Sequence, residues 1–407
     1  MLLLTATSHA FAGGRATAGY IGARRHKPAQ AQAISLSPAE QYAAQRAAAL
    51  REKQEERAKR AYEVELEGLW NGDSEAYMRL QDKNFWRNII AESPMWPYYG
   101  LTIAEDSRAS TLAAVGADQS STSPERTRAA ENLRLLLDRG FCGVEGIDWA
   151  AHGVDFGSIA AGMEALKQAG WPPVFVFMFD EAWRVCEALF DVVAPLIQDE
   201  ELVLEASVYG WALDHPKLTE GVPGEKVGGN FGVPHRDNTY SASHTVDGRP
   251  SILGIWIPCV DVNADNGCMY VVPRERDPLF ENEADRTHRA PHLMPNFPYA
   301  HVRPLEANAG TVLMWHHNTI HWGSSCSPYA THPRKSIAMS FRLREEEKPF
   351  SAKDEELYGR RPYTRQELAA GIPMDERLRL CTRALMMYSV WHPEFKGFDK
   401  EHLGVDL

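Results

Sequence analysis

The residues of this chain whose types and spacing could hold a metal ion are two histidines and an aspartate in its second half. His235 and Asp237 are separated by one residue in the segment Pro234–Asp237. Residues i and i+2 of a strand point to the same side, so these two side chains could bind one ion together. An H-x-D pair alone is a weak signal, because about one is expected by chance in a chain with this many histidines.

His321 is the candidate third ligand. It follows the strand-like run Gly310–Trp315 and a short polar segment. Two histidines and one carboxylate form a facial triad that leaves coordination positions open on Fe(II). His316 and His317 compete with His321 for this role, since both lie nearer to the predicted strand.

Arg334 is a candidate for binding a carboxylate. It follows His321 by thirteen positions and opens the alternating segment Ser336–Arg342. A guanidinium group there is suited to a two-pronged contact with the distal end of a dicarboxylate. The alternative is a structural ion pair with an acidic neighbour.

Other residues of chemical interest favour ordinary structural roles. Eight of the 15 histidines lie between His235 and His321. The ones expected to be solvated loop residues rather than ligands are His244, His288, His292 and His301. The aromatic and sulfur side chains expected to pack in the core are Trp256, Trp315, Cys259 and Cys268, with no nucleophilic role.

The elements that must position these residues are helices followed by strands. A stripe from Ala129 to Leu137 predicts a helix ending before Gly140, and Asp180 can cap a later one. From Leu202 the hydrophobic period changes to two. The predicted further elements are a helix at 160–169, strands at 252–257, 269–272, 311–315 and 336–342, and a late helix near 376–390. Helices first and short strands later predict an α+β fold, with an antiparallel barrel or sandwich and helices outside it.

Composition excludes several classes of protein. The 407 residues are 44% hydrophobic and 24% charged, as in ordinary globular proteins. The net charge of −12 disfavours general nucleic-acid binding. No apolar run approaches the roughly 18–20 residues that span a bilayer. The chain contains no H-E-x-x-H, G-x-S-x-G, P-loop or G-x-G-x-x-G motif.

The first hundred residues differ in character from the rest. Residues 1–36 lack acidic side chains and are rich in Ala and Arg, which predicts a targeting leader for a plastid or mitochondrion, or else a disordered terminus of a cytoplasmic protein. Residues 37–100 predict a helical arm that opens with Ser37, Pro38 and Glu40, followed by an aromatic-rich packing segment. The predicted main domain is 101–345, and 346–407 form a C-terminal extension.

Three segments together resemble the phytanoyl-CoA dioxygenase-like family of Fe(II)/2-oxoglutarate oxygenases. They are Pro234–Asp237, Leu253–Pro273 and Gly310–Ser325, with Arg334 beyond them. The family implies a double-stranded β-helix, or jelly roll, with supporting helices. The chain departs from the family pattern at Pro273–Arg276, where Pro-Gly-Ser-His is common, and Arg334 lies about two residues farther from His321 than expected.

The resemblance also implies roles for individual residues and a reaction. It makes His235, Asp237 and His321 the iron ligands, and Arg334, with help from Ser336, the binding site of the 2-oxoglutarate C5 carboxylate. The implied activity is hydroxylation of a small molecule with O2 as cosubstrate and release of succinate and CO2. The segment 274–301 could form a lid over the substrate. Two alternatives remain: a cupin-type metalloenzyme that does not use 2-oxoglutarate, and a catalytically silent jelly-roll binding protein.

Overall fold

The structure is a computed structural model that describes residues 74–91, 101–103, 123–197, 202–215, 232–343 and 362–388. These residues all belong to one unit of the chain, Glu52–Leu407. The predicted leader, and the helix predicted to begin at Ser37, lie outside the described residues, so both stay predictions. The division of the chain into four regions also stays a prediction. No helix among the described residues is long and apolar enough to cross a membrane.

Five of the eight helices in the described residues lie before position 198, and all the strands there but one lie after it, as predicted. Their bounds are Ser74–Gln81 (α1), Lys83–Ala91 (α2), Ser123–Arg139 (α3), Phe156–Gln168 (α4), Asp180–Ile197 (α5), Tyr240–Ser243 (α6), Arg365–Ala370 (α7) and Met374–Met387 (α8). Helix α3 ends before Gly140, which has a positive φ of 81° that suits a helix C-terminus. Helix α5 begins at Asp180 itself, so this residue lies in the first turn rather than before it.

In the described part of the chain, eight strands form two antiparallel sheets. Their bounds are Phe141–Val144 (β1), Leu202–Ala212 (β2), Ile252–Pro258 (β3), Met269–Val271 (β4), Arg303–Leu305 (β5), Val312–His316 (β6), His321–Gly323 (β7) and Lys335–Leu343 (β8). The larger sheet has the order β1-β6-β3-β8-β2, and the smaller one β5-β4-β7. Neighbours such as β1 and β6 are distant in sequence, as a double-stranded β-helix requires. The predicted α+β jelly roll is confirmed.

The register of the large sheet decides which side chains face its interior. Gly254 of β3 lies opposite both Trp315 of β6 and Ser340 of β8. Trp211 of β2 lies opposite Ser336 of β8. Residues directly opposite each other on paired strands share a face of the sheet. One face of this sheet therefore presents aromatic, small and hydroxyl side chains to a common interior.

The other face of the large sheet is covered by the helical layer. A buried 3₁₀ segment, Pro173–Met178, packs against β2. The approach is so close that a Cβ on Gly210 would lie 2.8 Å from the Pro173 carbonyl oxygen. Strand β2 is consequently buried on both faces rather than alternating between buried and exposed. From the predicted aromatic-rich segment, Trp86 is fully buried and stacks on Phe175 with ring centroids 5.1 Å apart.

The strands predicted at 252–257, 269–272, 311–315 and 336–342 are all present, with bounds shifted by one residue at most. Three further strands of the described residues, β1, β5 and β7, were not predicted, and each has only three or four residues. Segments that short give little alternation to detect, and the three-residue β4 is the one that was nevertheless predicted. The partners of these strands, rather than their own sequences, hold them extended.

Candidate metal centre

Two histidines and one aspartate converge at one point on the inner side of the barrel. His235 Nε2 lies 3.8 Å from Asp237 Oδ1, and His321 Nε2 lies 3.7 Å from Asp237 Oδ2. One ligand atom from each residue lies within 4.8 Å of the other two. The structure thus brings together the three predicted ligands, which are 84 positions apart between Asp237 and His321.

A pair of backbone hydrogen bonds holds the two histidines side by side. His235 and His321 form an isolated antiparallel bridge, with N···O distances of 3.1 and 3.0 Å in the two directions. His321 is also the first residue of β7, where it pairs with Val271 of β4. His235 does not belong to a full strand, so the H-x-D segment relies on this bridge to present its side chains.

Both imidazoles are fixed with the same nitrogen toward the aspartate. His235 Nδ1 lies 3.0 Å from the Val233 carbonyl oxygen, and His321 Nδ1 lies 3.0 Å from that of Thr319. Since a carbonyl oxygen only accepts hydrogen bonds, each Nδ1 carries a hydrogen, and Nε2 is the nitrogen of each ring that can bind a metal ion. Such a partner on the far nitrogen is the usual support of a metal-binding histidine.

The electrostatics of the three residues suit a cation. Burial, with a contribution from His321, lowers the pKa of His235 to about 4, so its ring is neutral at pH 7. Desolvation would raise the pKa of Asp237, but the neighbouring His321, His317 and His235 hold it below its usual range. The centre therefore offers the neutral imidazole of His235 and the carboxylate anion of Asp237 at neutral pH.

Arg236, between the two ligands of the H-x-D segment, is a structural anchor that sequence reasoning missed. Its guanidinium binds the Asp277 carboxylate at 2.5 and 2.9 Å, and neither side chain is exposed to solvent. It also donates to the carbonyl oxygens of His288, at 2.9 Å, and Asn318, at 2.6 Å. Arg236 thus ties the H-x-D segment to the loop after β4 and to the segment before His321.

Arg334 lies in the same interior, at the start of β8. It is 2% exposed, donates to the Gly267 carbonyl oxygen, and lies over the Trp256 ring at 5.8 Å. Its Nε has no hydrogen-bond partner, and no carboxylate of the described residues pairs with it. Burial lowers the pKa of Arg334 to about 10, so the group stays cationic at pH 7. The alternative of a structural ion pair therefore has no partner in the described part of the chain.

Ser336 is the one predicted site residue that does not line the cavity. It is fully buried two residues beyond Arg334, and its Oγ has no hydrogen-bond partner. An unpaired buried hydroxyl is uncommon in a folded protein. The role predicted for Ser336 beside Arg334 stays a prediction.

A cavity of about 250 Å³ connects the metal centre with Arg334. Strands of both sheets and the end of α8 contribute to its wall. Besides the predicted site residues, the lining includes Tyr209, Trp211, Asn238, Trp256, Trp315, His317, Ser340, Met387 and Tyr388. The contributions of β2 and α8 carry no motif, so no signal in the sequence could have located them.

The competing histidines have other partners. His316 is buried and its Nδ1 lies 3.2 Å from His244 Nε2, away from the metal centre. His317 lines the cavity but bonds to Asn238 and Ser340. The prediction that His244 and His288 are solvated was wrong, because they are 2% and 0% exposed.

Comparisons with known proteins agree with the predicted resemblance. The family model described as phytanoyl-CoA dioxygenase (PhyH) matches residues 189–326. The match contains all three candidate ligands but ends before Arg334. The comparison with curated proteins found no match.

Several solved structures share a distant likeness with the chain. The epimerase SnoN in complex with Fe3+, alpha ketoglutarate and nogalamycin RO is 16% identical, covering 53% of this chain and 84% of its own, with a TM-score of 0.36. The carbocyclase SnoK from nogalamycin biosynthesis is 15% identical, with coverages of 52% and 83% and a TM-score of 0.37. EctD from S. alaskensis with 2-oxoglutarate and 5-hydroxyectoine is 16% identical, with coverages of 64% and 90% and a TM-score of 0.35.

The family match rests on sequence and covers the H-x-D segment, β3, β4 and His321. Over residues 189–326 the chain matches the phytanoyl-CoA dioxygenase family, and the resemblance predicted from its motifs is confirmed.

Proposed function

We propose that this protein is an Fe(II)- and 2-oxoglutarate-dependent dioxygenase that hydroxylates a small molecule and releases succinate and CO2. The observation that carries the proposal is the convergence of His235, Asp237 and His321, with the Nε2 atoms of both histidines turned toward the carboxylate. Two imidazoles and one carboxylate are the ligand set typical of non-haem Fe(II) oxygenases.

The chemistry of the donor set fits iron. The two Nε2 atoms and one oxygen of Asp237 would hold the ion from one side, leaving the cavity side for other ligands. The Val233 and Thr319 carbonyl groups fix the imidazole tautomers that metal binding needs. When bound, iron and 2-oxoglutarate together supply the oxidising power for O2-dependent attack on an unactivated carbon.

The unpaired polar atoms near β8 fit the cosubstrate. Arg334 presents a cationic group without an acidic partner in the described part of the chain, and its Nε is unsatisfied. Burying a cation without a paired anion is unfavourable for the folded protein, and binding of an anion removes this cost. The carboxylate of a dicarboxylic acid held between Arg334 and the metal centre would supply that anion.

The remaining wall of the cavity would exclude water and place the substrate. Trp256 and Trp315 are 2% and 4% exposed, and both line the cavity. Their predicted core role therefore coincides with a second role as lining. The carboxylate of Asp237 favours hydroxylation over halogenation, since related halogenases have a small residue in place of this ligand.

A succinate assay tests the proposal. The purified protein with Fe(II), O2 and small-molecule extracts is expected to release succinate only when 2-oxoglutarate is added, and His235→Ala should abolish this. His152→Ala is the matched control, because His152 lies in the segment Trp149–His152 and does not line the cavity, so its loss should leave turnover unchanged. Turnover that persists without 2-oxoglutarate would favour the cupin-type alternative. Absence of any Fe(II) site sensitive to His235→Ala would favour the silent binding protein.

A further inference from the structure

Three polar residues on the cavity wall, which are distinct from the candidate metal ligands and from Arg334, form a chain of hydrogen bonds. Asn238 Nδ2 lies 3.1 Å from His317 Nδ1, and His317 Nε2 lies 2.9 Å from Ser340 Oγ. The backbone N–H of Asn238 also donates to the His317 carbonyl oxygen at 3.0 Å. All three residues line the cavity. We refer to them as the polar chain.

The direction of hydrogen bonding in the polar chain follows from its first member. An amide NH2 group only donates, so His317 Nδ1 accepts from Asn238 and carries no hydrogen. In a neutral ring the hydrogen then resides on Nε2, which donates it to Ser340 Oγ. The Ser340 oxygen is thereby engaged as an acceptor, and its own hydrogen must point elsewhere.

Gly254 provides the space for this arrangement. It lies opposite Ser340 in the register of β3 and β8, and a Cβ on it would be 3.4 Å from His317 Cδ2 and 2.9 Å from Trp315 Nε1. A Cβ at this position would crowd the Trp315 ring and would also contact the His317 ring. The absence of one at the centre of a buried strand lets His317 reach across to Ser340.

The Ser340 hydroxyl group can donate its hydrogen only into the cavity. Within the described residues, its hydroxyl forms a hydrogen bond only with His317, and its side chain is partly open to the cavity. We infer that Ser340, oriented by His317 and Asn238, is a binding residue that donates a hydrogen bond to an acceptor oxygen of a molecule held in the cavity. His317 and Asn238 act through Ser340 and are positioning residues. This inference rests on the proposed function for the nature of the molecules that occupy the cavity.

The acceptor oxygen could belong to either occupant of the cavity. A carboxylate or keto oxygen of 2-oxoglutarate and a carbonyl or hydroxyl oxygen of the primary substrate share the same chemistry. Loss of one such hydrogen bond should weaken binding of the molecule that accepts it by about three- to tenfold. The molecule whose binding is weakened is therefore the one that supplies the acceptor oxygen.

Binding and turnover of Ser340→Ala distinguish the two sources. The first arm titrates 2-oxoglutarate into the Fe(II)-loaded full chain without O2. The second measures succinate release stimulated by the extract fraction most active with the unaltered protein. A loss in the first arm assigns the contact to 2-oxoglutarate, and a loss in the second alone assigns it to the primary substrate. Ser340→Thr keeps the hydroxyl and should restore most of the loss, whereas wild-type behaviour of Ser340→Ala in both arms would overturn the inference.

Imidazole NMR tests the positioning role independently of turnover. The ¹⁵N shifts of His317 in the full chain, with and without Zn(II) as a diamagnetic substitute for Fe(II), should report the Nε2–H tautomer. Asn238→Asp should reverse it, because a carboxylate accepts from Nδ1–H, and Nε2 would then accept from Ser340. A Nδ1–H tautomer in the unaltered protein would refute the assigned direction. If the protein binds no iron or 2-oxoglutarate, the proposed function fails, while this tautomer measurement still decides the polar chain.

Discussion

The ion pair between Arg236 and Asp277 offers the sharpest test of how the metal centre is held. Both side chains have no exposure to solvent, and two hydrogen bonds of 2.5 and 2.9 Å join them. Asp277→Asn keeps the shape of the side chain but removes its charge. It leaves the Arg236 cation buried without a counter-ion.

The expected loss is large. Removing one partner of a buried ion pair lowers the free energy of unfolding by about 3–5 kcal/mol. The two carbonyl contacts of Arg236, to His288 and Asn318, remain and can offset part of the loss. Because Arg236 lies between two candidate ligands and contacts the segment leading to His321, Fe(II) affinity should fall together with stability.

Urea unfolding and anaerobic Fe(II) titration are the assays. The matched control is Asp247→Asn, which breaks an arginine–aspartate pair of 2.8 Å whose side chains are 53% and 60% exposed. This control should change stability by about 0–1 kcal/mol and leave Fe(II) affinity unaltered. The double variant with Arg236→Met and Asp277→Leu should lose less stability than the sum of the losses in the single variants Arg236→Met and Asp277→Leu. The difference, which is the coupling energy, should be about 2 kcal/mol or more. If Asp277→Asn matched its control in both assays, Arg236 would not anchor the centre.

Other substitutions give further expected outcomes. Gly254→Ala should lower the free energy of unfolding in urea by about 1–3 kcal/mol and weaken binding of Fe(II) and 2-oxoglutarate, because its Cβ would lie 2.9 Å from Trp315 Nε1. Gly232→Ala is the control and should change neither property, because nothing lies within 4 Å of the added Cβ. Arg334→Met should weaken 2-oxoglutarate about 10- to 100-fold in calorimetry while Fe(II) affinity stays the same, and an equal loss of both would contradict its assignment to the cosubstrate. The thiols of Cys186, Cys259 and Cys381 should react with a disulfide reagent only after denaturation, because burial raises the pKa of each; rapid labelling of the folded chain would count against the packing of these residues.

The candidate ligands could be picked out from the sequence because their residue types are ones that bind metal ions. The H-x-D pair is a weak signal alone, but it stands beside other motifs of one family, and the family resemblance selected His321 over His316 and His317. The strands of five or more residues were found for a similar reason, since alternation over that length is a measurable pattern.

The supports of the centre were out of reach because they depend on contacts between distant segments. Arg236 stands inside the predicted motif, but its partner Asp277 is 41 positions away and nothing local marks it. His244 has the composition of a loop residue, yet the pairing with His316, 72 positions later, buries it. Tyr388 lies beyond the predicted main domain but lines the cavity and packs on Tyr209 at 4.2 Å. Folding, rather than any motif, brings these residues together.

Calorimetric titration of 2-oxoglutarate without O2 tests the central claim most directly. The Fe(II)-loaded protein is predicted to bind one molecule of 2-oxoglutarate per chain. Binding should be lost when Fe(II) is omitted or when His235→Ala removes a ligand. Equal binding of 2-oxoglutarate with and without Fe(II), or no change in His235→Ala, would contradict the joint site formed by the three ligands and Arg334.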